Sequence, residues 1–317
     1  MHLVQVCNVG NLCGGTAACA WSIMRALPDC RHTLLCLSAV GKELREQFTP
    51  GQVCEIDFVD VTLLADLNPD LVLLHNTPAK RAGDLRCFST LCYLHSKIVP
   101  TRANAYVSCS EWLRSQVPVP STVLYQPVPC PPHSPETDFR PLEETIRVGR
   151  ICSPQQKKWP AVLPELYREL AGMFPRIEWE FVGCPPALQD SLKSACAGRA
   201  RFHLAGWNAR QHYWRWHAML YHHPGLTESF GRVAAEAMLA GCVPILDRRG
   251  GFCEQVLQGE TGFLCGQRKD FVVALQQVSD SAGWWRLTRQ ARDHARNQFS
   301  LQSFRNRFLQ LLRQELC

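Results

Sequence analysis

Glu228 and Glu236 are the two residues of this 317-residue chain from which a chemistry can be argued first. They lie in PGLTESFGRVAAEAMLAGCVPILDRRGGFCEQVLQGETGFLC, Pro224 to Cys265. The pattern predicts a loop that delivers Glu228 to a helix, with Ser229, Phe230 and Gly231 as its first turn and Glu236 two turns in. First-turn amides have no intrahelical acceptor and the helix dipole is positive there, so that end suits a phosphate. Glycine at 231 would let a ligand approach the backbone closely. Eight residues of helix separate the carboxylates by about 12 Å. That is too far for paired acid/base work on one bond. It suits holding hydroxyls at the two ends of one extended ligand with phosphates between them, and a nucleotide-sugar has that layout: hexose, diphosphate, ribose.

Such residues need a scaffold that presents loops at one end of a sheet. The first half alternates buried, strand-like runs with helical stretches. HLVQVCNV, HTLLCLSAV, CEIDFVDV and LVLLHN read as strands, a helix covers about Thr16 to Leu27, and AYVSCSEWLRSQ reads as a strand entering a helix capped by Ser108 or Ser110. Continuous apolar runs separated by helices imply a parallel, doubly wound sheet. Val117 to Pro141 is dense in proline, which excludes helix and central strand and reads as an extended crossover, either a linker between domains or a long surface loop within one. A second series follows: TIRVGRI, WEFVGC, ARFHLAG and CVPILD as strands, with helices near Ala161–Phe174, Pro186–Ala197 and Ser229–Ala240. The end, SLQSFRNRFLQLLRQEL, has helical periodicity with arginines on its polar face and reads as a closing helix.

Bulk numbers bound the class. Composition is 46% hydrophobic and 20% charged, that of an ordinary globular protein with two cores. No apolar run reaches the length of a membrane span, and the N-terminus lacks a signal-peptide pattern, so a cytoplasmic protein is expected. The net charge of +6 is compatible with phosphorylated ligands, anionic membranes or nucleic acid and selects none of them. The seventeen cysteines form no CxxC pair and sit largely in apolar runs, so they read as packing thiols in a reducing compartment. Trp207, Trp214 and Trp216 read as core, and His212 and His217 show no ligand set.

ESFGRVAAEAMLAGCVPI, with seven residues between Glu228 and Glu236, followed by GG..E..L.G.TGFL, resembles the signature of retaining GT-B glycosyltransferases of family four, the glycosyl transferases group 1. The likeness covers most of the C-terminal half, including Arg150 in RVGRI with Lys157-Lys158-Trp159 after it, and is looser in the N-terminal half, at Gly14-Gly15 and His75. It implies an α/β, GT-B fold: two Rossmann-like domains facing each other across a cleft. Residues 1–135 would be the acceptor domain and 142–299 the nucleotide-sugar donor domain, with helix 300–317 packing back on the first. By resemblance, Glu228 orients the donor sugar hydroxyls and Glu236 binds the ribose. Arg150, one of Lys157 and Lys158, and the amides of Ser229, Phe230 and Gly231 neutralise the diphosphate. Gly14 and Gly15 close over the phosphates, and His75 sits near the reacting carbon. The Arg-to-Lys spacing is stretched relative to the family's, which leaves the choice of lysine open.

The implied enzyme is a metal-independent, retaining hexosyltransferase that takes a UDP-hexose in preference and needs no cofactor. Its expected partners are the nucleotide-sugar donor and a glycan or lipid-linked glycan acceptor, with peripheral contact at the inner membrane face. Transfer to nucleic acid or a modified base, and a nucleotide-sugar-binding protein without catalysis, stand as alternatives; salt-sensitive nucleic-acid binding would mark the first and binding without turnover the second. Each assignment has a plain structural counterpart: a solvated helix glutamate at 236, a salt-bridged arginine at 150, an exposed basic pair at 157–158, a satisfied core histidine at 75 and a simple turn at 14–15.

Overall fold

The computed structural model describes residues 1–49, 52–133 and 145–315. The chain divides into two compact units, Met1–Pro129 with Gln298–Cys317, and Cys130–Asn297. The division thus falls inside the proline-dense stretch, of which positions 134–141 lie outside the described residues.

The first unit runs β1 (His2–Cys7), α1 (Gly15–Ala26), β2 (Arg31–Cys36), α2 (Lys42–Glu46), β3 (Val53–Glu55), α3 (Val61–Leu67), β4 (Leu71–His75), β5 (Thr90–Leu94), β6 (Ala105–Ser108), α4 (Glu111–Arg114) and β7 (Thr122–Val123). Its seven strands are all parallel, in the order β3-β2-β1-β4-β5-β6-β7. Burial on both faces explains the sequence pattern: every residue of β1, β4 and β5 is buried. Ser110 caps α4, its hydroxyl accepting from the Leu113 amide at 3.0 Å. β7 lies in the proline-dense stretch at the sheet edge, where a missing amide donor is tolerated.

The second unit runs β8 (Ile146–Ile151), α5 (Leu163–Met173), β9 (Ile177–Val182), α6 (Pro186–Ala195), β10 (Ala200–His203), β11 (Ala218–Tyr221), α7 (Arg232–Leu239), β12 (Val243–Asp247), α8 (Phe252–Gln255), β13 (Phe263–Cys265), α9 (Arg268–Ser279) and α10 (Ser281–Phe299). A 3-10 segment, Trp207–Trp214, joins β10 to β11, and a shorter one, Gln156–Lys158, follows β8. The sheet order is β10-β9-β8-β11-β12-β13, again all parallel. Counted from β8 this is the doubly wound order 3-2-1-4-5-6, whose crevice opens where the order reverses, between the carboxyl ends of β8 and β11. One face of the sheet packs Trp179 and Phe181 of β9 against Tyr167 of α5 and Leu188 and Leu192 of α6. The other packs Trp216, Met219 and Tyr221 against Ala234 and Ala237 of α7.

α11 (Leu301–Glu315) belongs with the first unit. Its buried stripe is Phe304, Phe308 and Leu311, and Arg305 pairs with Asp29 beyond α1 at 2.6 Å. No disulfide joins any two of the described cysteines. Among the described residues, no helix is long and apolar enough to cross a membrane.

Candidate functional site

The switch point of the second unit gathers the residues that the sequence singled out. Arg150 ends β8 and Tyr221 ends β11; the loop after β11 carries His222, His223 and Glu228 toward α7. Asp247 ends β12 and holds that loop, accepting from His222 Nδ1 at 2.7 Å and from the His223 amide at 2.6 Å. Gly251 donates its amide to the Glu228 carbonyl at 2.9 Å. Gly250 lies against the same carbonyl: at its φ of +59° a Cβ would come within 2.4 Å of that oxygen, so only glycine fits.

Glu228 is the centre of the arrangement. Lys158 Nζ and the Tyr221 hydroxyl (2.9 Å) both donate to its Oε1. Among the described residues Oε2 takes no hydrogen bond, and the Glu228 side chain keeps 22% of its exposure, so one carboxylate oxygen faces outward as an acceptor. Burial, and next the Glu228 charge, push the Tyr221 phenol far above its ordinary pKa, which keeps it a donor.

Lys158 owes its position to two backbone anchors. Arg150 donates from Nη2 to the Lys158 carbonyl at 2.9 Å and from Nη1 to the His222 carbonyl at 3.2 Å. His223 receives the Gly225 and Leu226 amides on Nδ1, at 3.1 and 2.7 Å, so the proton is on Nε2, which donates to the Lys157 carbonyl at 2.9 Å. Burial lowers the His223 pKa and favours that neutral tautomer. Lys158 is therefore the lysine brought to Glu228, while Lys157 is exposed.

Arg150 differs from its expected role. Its guanidinium is completely buried, 4.7 Å from the centre of the Tyr221 ring and 5.1 Å from that of Trp159, and its hydrogen bonds go to carbonyls. It ties the Gln156–Lys158 turn to the β11 loop and positions Lys158, without presenting a face to a ligand. The start of the α7 helix also differs. Ser229, Phe230 and Gly231 precede it, and Gly231 is its N-cap at φ +81°. The first turn begins at Arg232, and Glu236 stands about one turn in. Gly231 is required by that left-handed backbone and by the Phe252 ring, 2.3 Å from where a Cβ would be, rather than by ligand approach. The positive end of the helix still follows directly on Glu228.

Glu236 is buried at 6% exposure between two buried arginines, Arg232 Nε at 3.6 Å and Arg210 Nη1 at 4.0 Å. Sequence reasoning missed both arginines, as it missed Tyr221, His222, His223 and Asp247. For Arg232 a signal was available, since it stands four residues before Glu236 on one helix face.

Gly14, Gly15 and His75 belong to the first unit. Gly14 caps α1, its amide committed to the Asn11 carbonyl at 2.9 Å. His75 ends β4, entirely buried, within a closed chain of hydrogen bonds. Its Nε2 donates to Gln5 Oε1 at 2.9 Å, its Nδ1 receives His95 Nε2 at 2.9 Å, and Gln126 Nε2 donates to His95 Nδ1 at 2.8 Å. Burial lowers its pKa to about 3. Of its two readings from sequence, this is the satisfied core histidine.

Comparisons with known proteins bear on the family and the fold. Residues 144–281 match the family model "Glycosyl transferases group 1". The two units have the GT-B fold. Solved structures of that fold align along nearly the whole chain. HepE of Anabaena, in complex with UDP-glucose, is 15% identical with a TM-score of 0.72, over 99% of this chain and 100% of that one. A glycosyltransferase from Rickettsia africae ESF-5 is 14% identical with a TM-score of 0.72, over 99% and 98%. Sucrose-phosphate synthase from Thermosynechococcus elongatus is 15% identical with a TM-score of 0.71, over 99% and 98%. At such identities the likeness is one of fold. No curated protein matches the chain in sequence.

Proposed function

We propose that the chain is a retaining glycosyltransferase that moves a hexose from a nucleoside-diphosphate sugar, UDP-hexose in preference, to a glycan or lipid-linked glycan. The observation that carries this reading is Glu228: a carboxylate fixed through one oxygen by Lys158 and Tyr221, with the other oxygen open, at the positive end of α7. The open oxygen accepts sugar hydroxyls. Lys158, which has two further N–H donors, and the first-turn amides of α7 stabilise the negative charge that grows on the β-phosphate as the anomeric C–O bond breaks. The acceptor oxygen bonds to the same face of that carbon, and its proton passes to the departing phosphate, so no protein nucleophile is needed. Glu236 receives the ribose hydroxyls, with Arg210 and Arg232 balancing its charge. Arg150 and His223 act through Lys158 as positioning residues. The UDP-glucose held by HepE favours a uridine donor.

A thermal-shift and hydrolysis screen across UDP-, GDP-, ADP- and TDP-sugars, without added metal or chelator, tests this reading. One donor should raise the melting temperature and be slowly hydrolysed. Silence from all of them in a folded sample would overturn it.

A further inference from the structure

A second cluster in the same unit takes no part in that site. Glu180, in the middle of β9, is a glutamate with 0% exposure. The strand register pairs it with Arg201 of β10, so His203, two residues on, falls on the same face of the sheet. The 3-10 segment Trp207–Trp214 brings His212 over that face. His203 Nε2 lies 3.2 Å and His212 Nδ1 3.5 Å from the same carboxylate oxygen, Oε2, and the three atoms all lie within 4.8 Å of one another.

These distances admit two explanations, and hydrogen bonding separates them. Neither His203 Nε2 nor His212 Nδ1 makes a hydrogen bond with acceptable geometry, although both atoms are buried. Buried ring nitrogens without partners cost stability unless something else receives their lone pairs. A second histidine cluster among the described residues, Cys19 with His75 and His95, shows the contrast: all four of its ring nitrogens are hydrogen-bonded, so nothing is left for an ion. Tetrahedral zinc with N and O ligands near 2.1 Å sets those ligands about 3.3 to 3.4 Å apart. The two observed separations bracket that value.

The surroundings are those of a ligand rather than of a free carboxylate. The Trp216 indole donates to Glu180 Oε2 at 3.0 Å, the outer-sphere contact that orients a ligating carboxylate. Gly149 makes room for that indole: a Cβ there would lie 2.1 Å from it. Arg215, 3.7 Å away, faces the other oxygen, Oε1. The His203 and His212 side chains keep 27% and 12% exposure, a path by which an ion and a fourth, water ligand reach the site.

We infer that Glu180, His203 and His212 form a zinc site that anchors the Trp207–Trp214 segment to the sheet. That segment also carries Arg210, which lies over the Trp207 ring and contacts Glu236, so the ion would fix the register of one wall of the nucleotide site. The site is structural and separate from the transfer chemistry, and it stands whether or not the chain is a transferase.

The test uses the full, untagged chain stripped of metal and titrated with Co2+ alone. Visible d–d bands of a four- or five-coordinate ion should appear and saturate at about one ion per chain. Equimolar Zn2+ should bleach them, following the usual order of affinities, and Zn2+ should raise the melting temperature of the stripped protein by several degrees. His203→Gln and His212→Gln should each weaken Co2+ binding at least tenfold. His217→Gln, at a histidine outside the cluster, should not. If the wild-type chain gives no bands, or gives bands that zinc fails to bleach, or if the two variants bind as wild type does, the zinc site is wrong and the three residues form only an ion cluster. The wild-type titration decides the matter even should a variant fail to fold.

Discussion

The two units share the strand order 3-2-1-4-5-6, which the first extends by a seventh strand, and put opposite chemistry at its reversal point. In each, the carboxyl ends of the first and fourth strands lie side by side, β1 with β4 and β8 with β11. At the first of these places stands His75, completely buried, neutral, and closed into the chain Gln5–His75–His95–Gln126. At the second stand Lys158 and Glu228, charged, about one fifth exposed, with one carboxylate oxygen and two lysine protons uncommitted. A Rossmann-like sheet thus supplies a place for chemistry and does not specify it. What separates the two ends is the loops: in the second unit the segment after β11 and the turn after β8 deliver opposite charges to the surface and leave them incompletely paired. In the first, amides and imidazoles satisfy one another.

The largest effect should come from opening the second site. Glu228→Gln keeps the shape and removes the charge, and we expect turnover of the donor to fall about 10²- to 10³-fold, the cost of losing one preorganised electrostatic group. The melting temperature should change little, because the residue is partly exposed and its Tyr221 contact survives. Steady-state hydrolysis of the donor found in the screen is the readout. A loss below tenfold would place the sugar-orienting group elsewhere. Glu236 is expected to behave differently. Glu236→Ala leaves Arg210 and Arg232 buried without their carboxylate and should cost about 3–5 kcal/mol of stability in addition to any loss of donor affinity. Chemical denaturation alongside donor titration separates the two.

The first site predicts the converse: stability without turnover. Its pH dependence has a definite sign. The folded-state pKa of His75, about 3, lies below the value of 6.5 for an unperturbed histidine. Above pH 6.5 both states are neutral and the contribution is complete. Between pH 6.5 and 3 the unfolded chain takes up a proton that the folded chain refuses, so stability from this residue falls as pH falls, by up to about 1.4 kcal/mol per pH unit. His75→Gln should remove that part of the slope, and cost about 1–3 kcal/mol at neutral pH for a disrupted buried network. The affinity of the second unit for the donor should be unchanged. Urea unfolding at several pH values checks the slope, and an unaltered slope in the variant would return His75 to an environment open to protons.

The legible parts of this molecule are those where one element carries its own evidence. β1, β8, β9 and β12 are mostly buried and rich in apolar, β-branched and aromatic residues, with charged residues interrupting β8 and β9; the segment from Glu228 to Glu236 is contiguous, and so is its match to the glycosyl transferases group 1 model. β5 and β11 were not visible. Thr90–Leu94 and Ala218–Tyr221 are short, and no Gly or Pro directly adjoins either. Missing β11 hid what lies at its end, so Tyr221, His222 and His223 could not be placed. Arg150 stands out through the family resemblance, but its burial depends on Trp159 and Tyr221 closing over it, which no local pattern records. The pattern predicts Ser229, Phe230 and Gly231 as the first turn of α7, whereas the helix begins three residues later, after the left-handed Gly231. Glu180 meets His203 only through the register of β9 with β10, and His212 only through the 3-10 segment Trp207–Trp214.

Tyr221 offers the smallest and sharpest test of the contrast between the two ends. Its hydroxyl and Lys158 share Glu228 Oε1, so the phenol adds one hydrogen bond to a carboxylate that a cation already holds. A hydrogen bond to a charged group contributes about 1.5–3 kcal/mol when its partner is left without any other. Here Lys158 remains, so Tyr221→Phe should lie at or below the lower end, a fall of about three- to tenfold in kcat. The phenyl ring would still pack against Arg150 and Phe252, and stability should hold to within about 1 kcal/mol. The split between kcat and KM carries the information. If Oε1 is only an anchor and Oε2 meets the sugar, loosening the anchor lets the carboxylate rotate and lowers kcat while KM for the donor stays nearly constant. A rise in KM with kcat preserved would mean that the phenol itself touches the donor, and that the anchored and open oxygens of Glu228 have been assigned the wrong way round.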